Sequence, residues 1–128
     1  MLAVTPIYAG LLALLFVSLS FRVIGGRLKH KVSLGDGDDK DMTKRMRVQA
    51  NFVEYAPLGI ILLAMAELQG MPIWLVHLFG LMLLAGRCIH AYGLGSTPQV
   101  LVCRRWGMRL TFAMIAITAL ANIGHAIL

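Results

Sequence analysis

Four long apolar stretches run along this chain, separated by short polar segments. The first covers about Ala3 to Ile24, and the second about Val48 to Leu68. The third covers about Ile73 to Tyr92, and the fourth about Met108 to Leu128. Each matches the roughly 20 mainly apolar residues a helix needs to cross a bilayer. With their polar starts included, the helices are expected over about 3–24, 40–68, 73–92 and 105–128. The pattern predicts an all-α fold, a four-transmembrane-helix bundle forming one domain over 1–128. The first stretch also has the length of a secretory signal peptide. Met1 to Pro6 carry no basic residue, however, and the cations follow the apolar run, so it is read as a retained span.

Composition sharpens this picture. Of the 128 residues 59% are hydrophobic and only 14% charged, too little polar surface for a water-soluble domain of this size. A net charge of +6 taken alone suggests nucleic-acid binding, but its distribution argues against it. Arg22, Arg27, Lys29, Lys31, Lys40, Lys44, Arg45 and Arg47 surround the first connection. Arg87, Arg104, Arg105 and Arg109 surround the third, and the two ends of the chain carry none. Four spans place those two connections on one side of the membrane. The positive-inside rule makes that side cytoplasmic and puts both termini on the other side.

The connections carry turn chemistry. Gly35 to Gly37 signals a turn, and Asp39 or Asp41 is expected to cap the second helix. A calcium loop counted from Asp36 is rejected: Asp41 stands where glycine is needed and Arg47 where the closing acid is needed. Cys88 and Cys103 suggest neither a disulfide framework nor a metal pair, and no metal site is expected. Trp74 and Trp106 fall where opposite interfaces are expected. Gly59, Gly80, Ala85 and Gly86 allow close helix contacts.

Polar residues inside a span are costly and each asks for a reason. Arg47, Asn51 and Glu54 share one face of helix two, with Gln49 and Tyr55 beside them. Six residues beyond Val48, Glu54 lies about 9 Å deep, where a carboxylate needs a partner or a wet cavity. Arg47 lies two turns away, so a direct pair with it is expected to be stretched. Helix three brings Arg87 and His90 to a similar depth, and Arg104 and Arg105 precede helix four. Such a cluster suits a small ligand with carboxylates for the arginines and an ammonium for Glu54. Plainer readings stand beside this one. Arg22, Arg27 and Lys29 serve as topology determinants and headgroup contacts, as do Arg105 and Arg109. Arg87 and His90 fit interfacial snorkelling equally well. His77, Asn122, His125 and the eight methionines read as packing residues.

The stretch Arg47-Val48-Gln49-Ala50-Asn51-Phe52-Val53-Glu54-Tyr55-Ala56-Pro57 resembles the start of helix two in the membrane-associated proteins in eicosanoid and glutathione metabolism, the MAPEG family. Gly86-Arg87-Cys88-Ile89-His90-Ala91-Tyr92-Gly93 is similar to the end of helix three in its members. Arg104 to Thr111 is similar to the head of helix four, and Lys31 to Gly37 to the first loop of bacterial members. The resemblance implies a homotrimer in a bacterial inner membrane, with glutathione bound between subunits near the cytoplasmic face. On that pattern Arg47 contacts a glutathione carboxylate, Asn51 bonds the tripeptide backbone, and Glu54 takes the γ-glutamyl ammonium. Tyr55 and His90 line the pocket, and Gln49, Arg87 and Arg27 complete the candidate cofactor contacts. Arg104, or else Arg105, stabilises the thiolate. Leu94 departs from members that carry tyrosine at that position.

The resemblance implies a glutathione-dependent transferase or peroxidase acting on lipophilic electrophiles or hydroperoxides. A non-catalytic ligand-binding or scaffold protein on the same fold is the alternative. A small multidrug antiporter ranks last, because that reading expects an acid in the first span and there is none. The implied partners are the bilayer, glutathione, a lipophilic small-molecule substrate and two further copies of the chain, with no nucleic acid.

Overall fold

A computed structural model describes residues 1–128. It contains α1 (Thr5–His30), α2 (Lys40–Leu68), α3 (Ile73–Gly95) and α4 (Leu101–Ile127), and no strand. All four are long and apolar enough to cross a membrane. The protein is thus an integral membrane protein with four spans. Only 28 of the 128 residues are buried, and large apolar side chains such as Leu14, Phe21, Met65 and Leu120 face outward. A surface of that kind needs lipid or another subunit around it.

The helix ends follow from local chemistry. Pro6 stands in the first turn of α1, where a missing N–H costs nothing. The helix runs six residues past Ile24 to His30, because Gly25 and Gly26 do not stop it. It ends where Lys31 turns left-handed and Val32 N donates to Arg27 O at 3.1 Å. Asp39 caps α2 by accepting from Met42 N at 2.9 Å. The start of α4 lies at Leu101, four residues before the expected position, so both Arg104 and Arg105 are helical.

The core joins Leu12 of α1, Leu63 of α2, Val76 and Leu83 of α3 and Met114 of α4. Thr111 and Thr118 are fully buried, and each hydroxyl bonds a carbonyl of its own helix. Helices α3 and α4 pack most closely. A side chain at Gly107 would strike His90 at 2.6 Å, and one at Gly93 would strike Arg104 N at 2.5 Å. The absent side chain of Gly93 therefore sets the start of α4, and with it Arg104, on the end of α3.

At the basic end, α1 and α2 are clasped. His30 lies 2.8 Å from Asp41 and 3.4 Å from Asp39. Arg45 donates to Asp41 at 2.9 Å and to Arg22 O at 2.8 Å. At the opposite end the Glu67 carboxylate accepts from the backbone N–H groups of Ala3, Val4 and Thr5 at 2.8–3.2 Å. A residue at the end of α2 thus caps the start of α1.

Candidate functional site

A cavity of about 680 Å³ opens at the basic end between α2, α3 and the α3–α4 connection. Its size falls in the range of small-molecule sites. Along α2 it is lined by Lys40, Lys44, Arg47 and Asn51, a stripe at spacings of four, three and four. The opposite wall holds Leu94, Thr97, Gln99 and Arg104. Lys44 reaches across the mouth, donating to Ser96 O at 2.8 Å and to Thr97 Oγ1 at 2.9 Å. Four cations line this space with one acid, Asp41, which is already shared by His30 and Arg45. The cavity therefore favours an anion.

The structure divides the residues singled out in the sequence. Arg47, Asn51 and Arg104 line the cavity together. Arg105 is exposed and is not among the lining residues, although it adjoins Arg104 in sequence. Glu54 pairs with Arg47 at 3.5 Å on an exposed face, a long contact that joins two turns of α2. Tyr55 packs edge-to-face on Phe112 and under the Arg87 guanidinium, 5.5 Å from the ring centre. Gln49 donates to Ser20 Oγ at 2.9 Å between α1 and α2. Arg27 donates to Gly35 O at 2.9 Å and holds the first loop. His90 is buried beneath Gly107.

Arg87 lies inside the bundle with 2% of its surface exposed. It donates to Asn51 Oδ1 at 2.6 Å, Asn51 O at 3.2 Å, Thr111 Oγ1 at 3.1 Å and the Met108 sulfur at 3.1 Å. No carboxylate pairs with it. Interfacial snorkelling does not describe a cation so enclosed.

Lys40, Lys44, Thr97 and Gln99 were not singled out as ligand contacts by sequence. Extending the Arg47–Asn51 face back two turns would have reached both lysines. Gln99 belongs to the connection, where no periodic pattern marks it. His30, Asp39 and Asp41 form a group of potential metal ligands. Arg45 beside Asp41 opposes a cation there, and both ring nitrogens of His30 already face carboxylates. A second, apolar groove of about 330 Å³ lies between α1 and α2, lined by Leu12, Phe16, Phe52, Val53, Pro57 and neighbours. Pro57 lacks the N–H that would bond Val53 O, so the α2 ladder is interrupted beside the groove.

The model of the MAPEG family matches residues 5–124, which takes in all four helices and every residue of the cavity. The chain belongs to the MAPEG family. It is also similar to the inner membrane protein YecN of Escherichia coli strain K12, 38% identical over 122 residues. That alignment covers 95% of this chain and 92% of the relative. YecN of E. coli O6:H1 strain CFT073 matches to the same extent.

Proposed function

We propose that the protein is a glutathione-dependent transferase or peroxidase of a bacterial inner membrane, acting on lipophilic electrophiles or hydroperoxides. The observation that carries this is the cavity in which Arg47, Asn51 and Arg104 meet, on a chain of the MAPEG family. The donors present fit glutathione. Its two carboxylates match the lysines and arginines of the wall, and an arginine fork suits a carboxylate. Arg47 and Lys44 bind and orient the tripeptide, while Arg104 supplies positive charge where a thiol must ionise. When bound, glutathione supplies a sulfur nucleophile, which is weak at its ordinary pKa of about 8.5 until a cation favours the thiolate. The apolar groove between α1 and α2 gives a lipophilic partner a route from the bilayer.

Assembly completes the site on this reading. Arg27, Gln49, Glu54 and Tyr55 do not line the cavity of their own chain. In a homotrimer Arg27 and Gln49 reach the ligand of a neighbouring subunit, and Glu54 exchanges Arg47 for the γ-glutamyl ammonium. The basic end faces the cytoplasm, where glutathione is abundant, and both termini face the periplasm.

Calorimetry of the detergent-purified protein with glutathione tests this, beside Arg47→Ala and Glu54→Gln. Saturable binding that both variants lose is expected. A folded wild type that binds no glutathione overturns the proposal and leaves a MAPEG protein with another ligand or a scaffold role.

A further inference from the structure

Two primary amides face the cavity, and an arginine holds the oxygen of each. Asn51 Oδ1 accepts from Arg87 Nη1 at 2.6 Å, and Gln99 Oε1 accepts from Arg104 Nη1 at 2.9 Å. A guanidinium offers only hydrogens, so the oxygen of each amide must turn toward its arginine. The NH2 end is then left for the ligand. Most other polar side chains of the wall also present donors. Lys40, Lys44, Arg47 and Arg104 can only donate, Thr97 Oγ1 already accepts from Lys44, and the Thr43 hydroxyl is turned to Asp36 and Asp39. That leaves Asp41, bonded through Oδ2 to His30 and Arg45, as the one acid at the cavity edge.

We propose that Arg87 and Gln99 are positioning residues that turn this wall into a surface of N–H donors. The part of the ligand lying against Asn51 is then an oxygen acceptor, a carboxylate or a peptide carbonyl, and never an N–H. The inference rests on the glutathione proposal for the identity of the ligand but not for the direction of the bond. Arg87 is otherwise hard to account for. A buried cation without a counter-charge is expensive, and a packed apolar residue would fill the space at lower cost. Its place behind Asn51 gives it a task. The guanidinium polarises the amide and strengthens the outward N–H as a donor. Gln99 does the converse for Arg104, holding one Nη of the guanidinium and so fixing where its remaining hydrogens point.

The decisive variant is Asn51→Asp. Aspartate has the same size, pairs with Arg87 and supplies its missing counter-charge, but offers the ligand an oxygen in place of NH2. The full chain in detergent should melt above wild type while glutathione affinity falls by roughly tenfold or more. Binding at wild-type strength would show that an acceptor suffices and overturn the proposal. So would a melting point below that of Asn51→Ala, because Arg87 would then not be holding the oxygen. Arg87→Ala empties a buried site and risks misfolding, so the companion variant is Gln99→Leu in the connection. It should keep the wild-type melting point and raise the pH midpoint at which bound glutathione develops thiolate absorbance. An unchanged midpoint would remove Gln99 from the proposal. If wild type binds no glutathione, the functional proposal fails separately. The melting comparison still decides the orientation at Asn51, and inorganic sulfate, an acceptor-only probe, replaces glutathione in the titrations.

Discussion

The two ends of the bundle handle polar groups in opposite ways. At the basic end Lys40, Lys44, Arg47 and Arg104 crowd a cavity with more donors than the chain has acceptors to match. At the far end the one acidic side chain, Glu67, is taken up by three backbone N–H groups. Tyr8 OH meets His77 Nδ1 at 2.8 Å, and Asn122 Nδ2 donates to Leu62 O and Thr118 O. What is left over there is oxygen: Thr5 Oγ1, Gln69 Oε1 and Asn122 Oδ1 are buried without a partner. The leftovers differ in kind. A neutral oxygen near an interface is satisfied by a single water, whereas a group of cations calls for an anion. One end closes the bundle on itself, and the other leaves four cations around a cavity.

That contrast can be broken at either end. The largest effect is expected from Arg104→Ala, which should lower glutathione-dependent turnover about 100-fold while leaving most of the glutathione affinity. Arg105→Ala, one residue away and outside the cavity, should change turnover little. Steady-state kinetics beside calorimetry separates the two. At the far end Gly80→Leu drives a side chain into the Tyr8 ring. It should cost about 1–3 kcal/mol of stability, read as a lower melting temperature, with glutathione affinity unchanged in the folded fraction. Glu67→Ala should cost about 1–2 kcal/mol, because the first N–H groups of α1 lose their cap. Hydrogen exchange at Ala3 to Thr5 should rise, again with no change in binding.

The smallest effect concerns the first loop. The Thr43 hydroxyl and the Asp38 N–H hold the Asp36 carboxyl below its usual value. A depressed native pKa means the stabilisation is present above the ordinary carboxylate range and is lost as pH falls through the native value. Hydrogen exchange in residues 32–39 should therefore quicken in acid before the helices respond. Asp36→Asn should show the faster exchange already at neutral pH.

The spans were legible in the sequence because lipid demands about 20 apolar residues whatever packs beside them. Not all of their ends were: α1 runs past Ile24 to His30, α3 past Tyr92 to Gly95, and α4 starts four residues early. No apolar run marks Arg27 to His30 as helix, and that turn is held by Arg45 lying across Gly26 and by the His30–Asp41 contact. The site divided along the same line. Arg47 and Asn51 share a helical face, so periodicity alone places them together. Which of Arg104 and Arg105 lines the cavity depends on the seating of α4 at Gly93, a tertiary contact that spacing does not encode. Spacing set Arg87 and His90 on one face of α3, but not their burial under α4 or the contact of Arg87 with Asn51. Gln99 carries no periodic signal at all, since its place is set by the path of the connection.

The capping of α1 by Glu67 has a consequence for the order in which the protein comes into being. Glu67 follows Thr5 by 62 residues, so α1 and nearly all of α2 are synthesised before the start of α1 meets its partner. Until then that carboxylate cannot serve those three N–H groups. The arrival of Glu67 caps them and, in the same act, returns the chain to the side of the membrane from which it began. The contact thus ties the first two helices into a hairpin at the end opposite the basic loops.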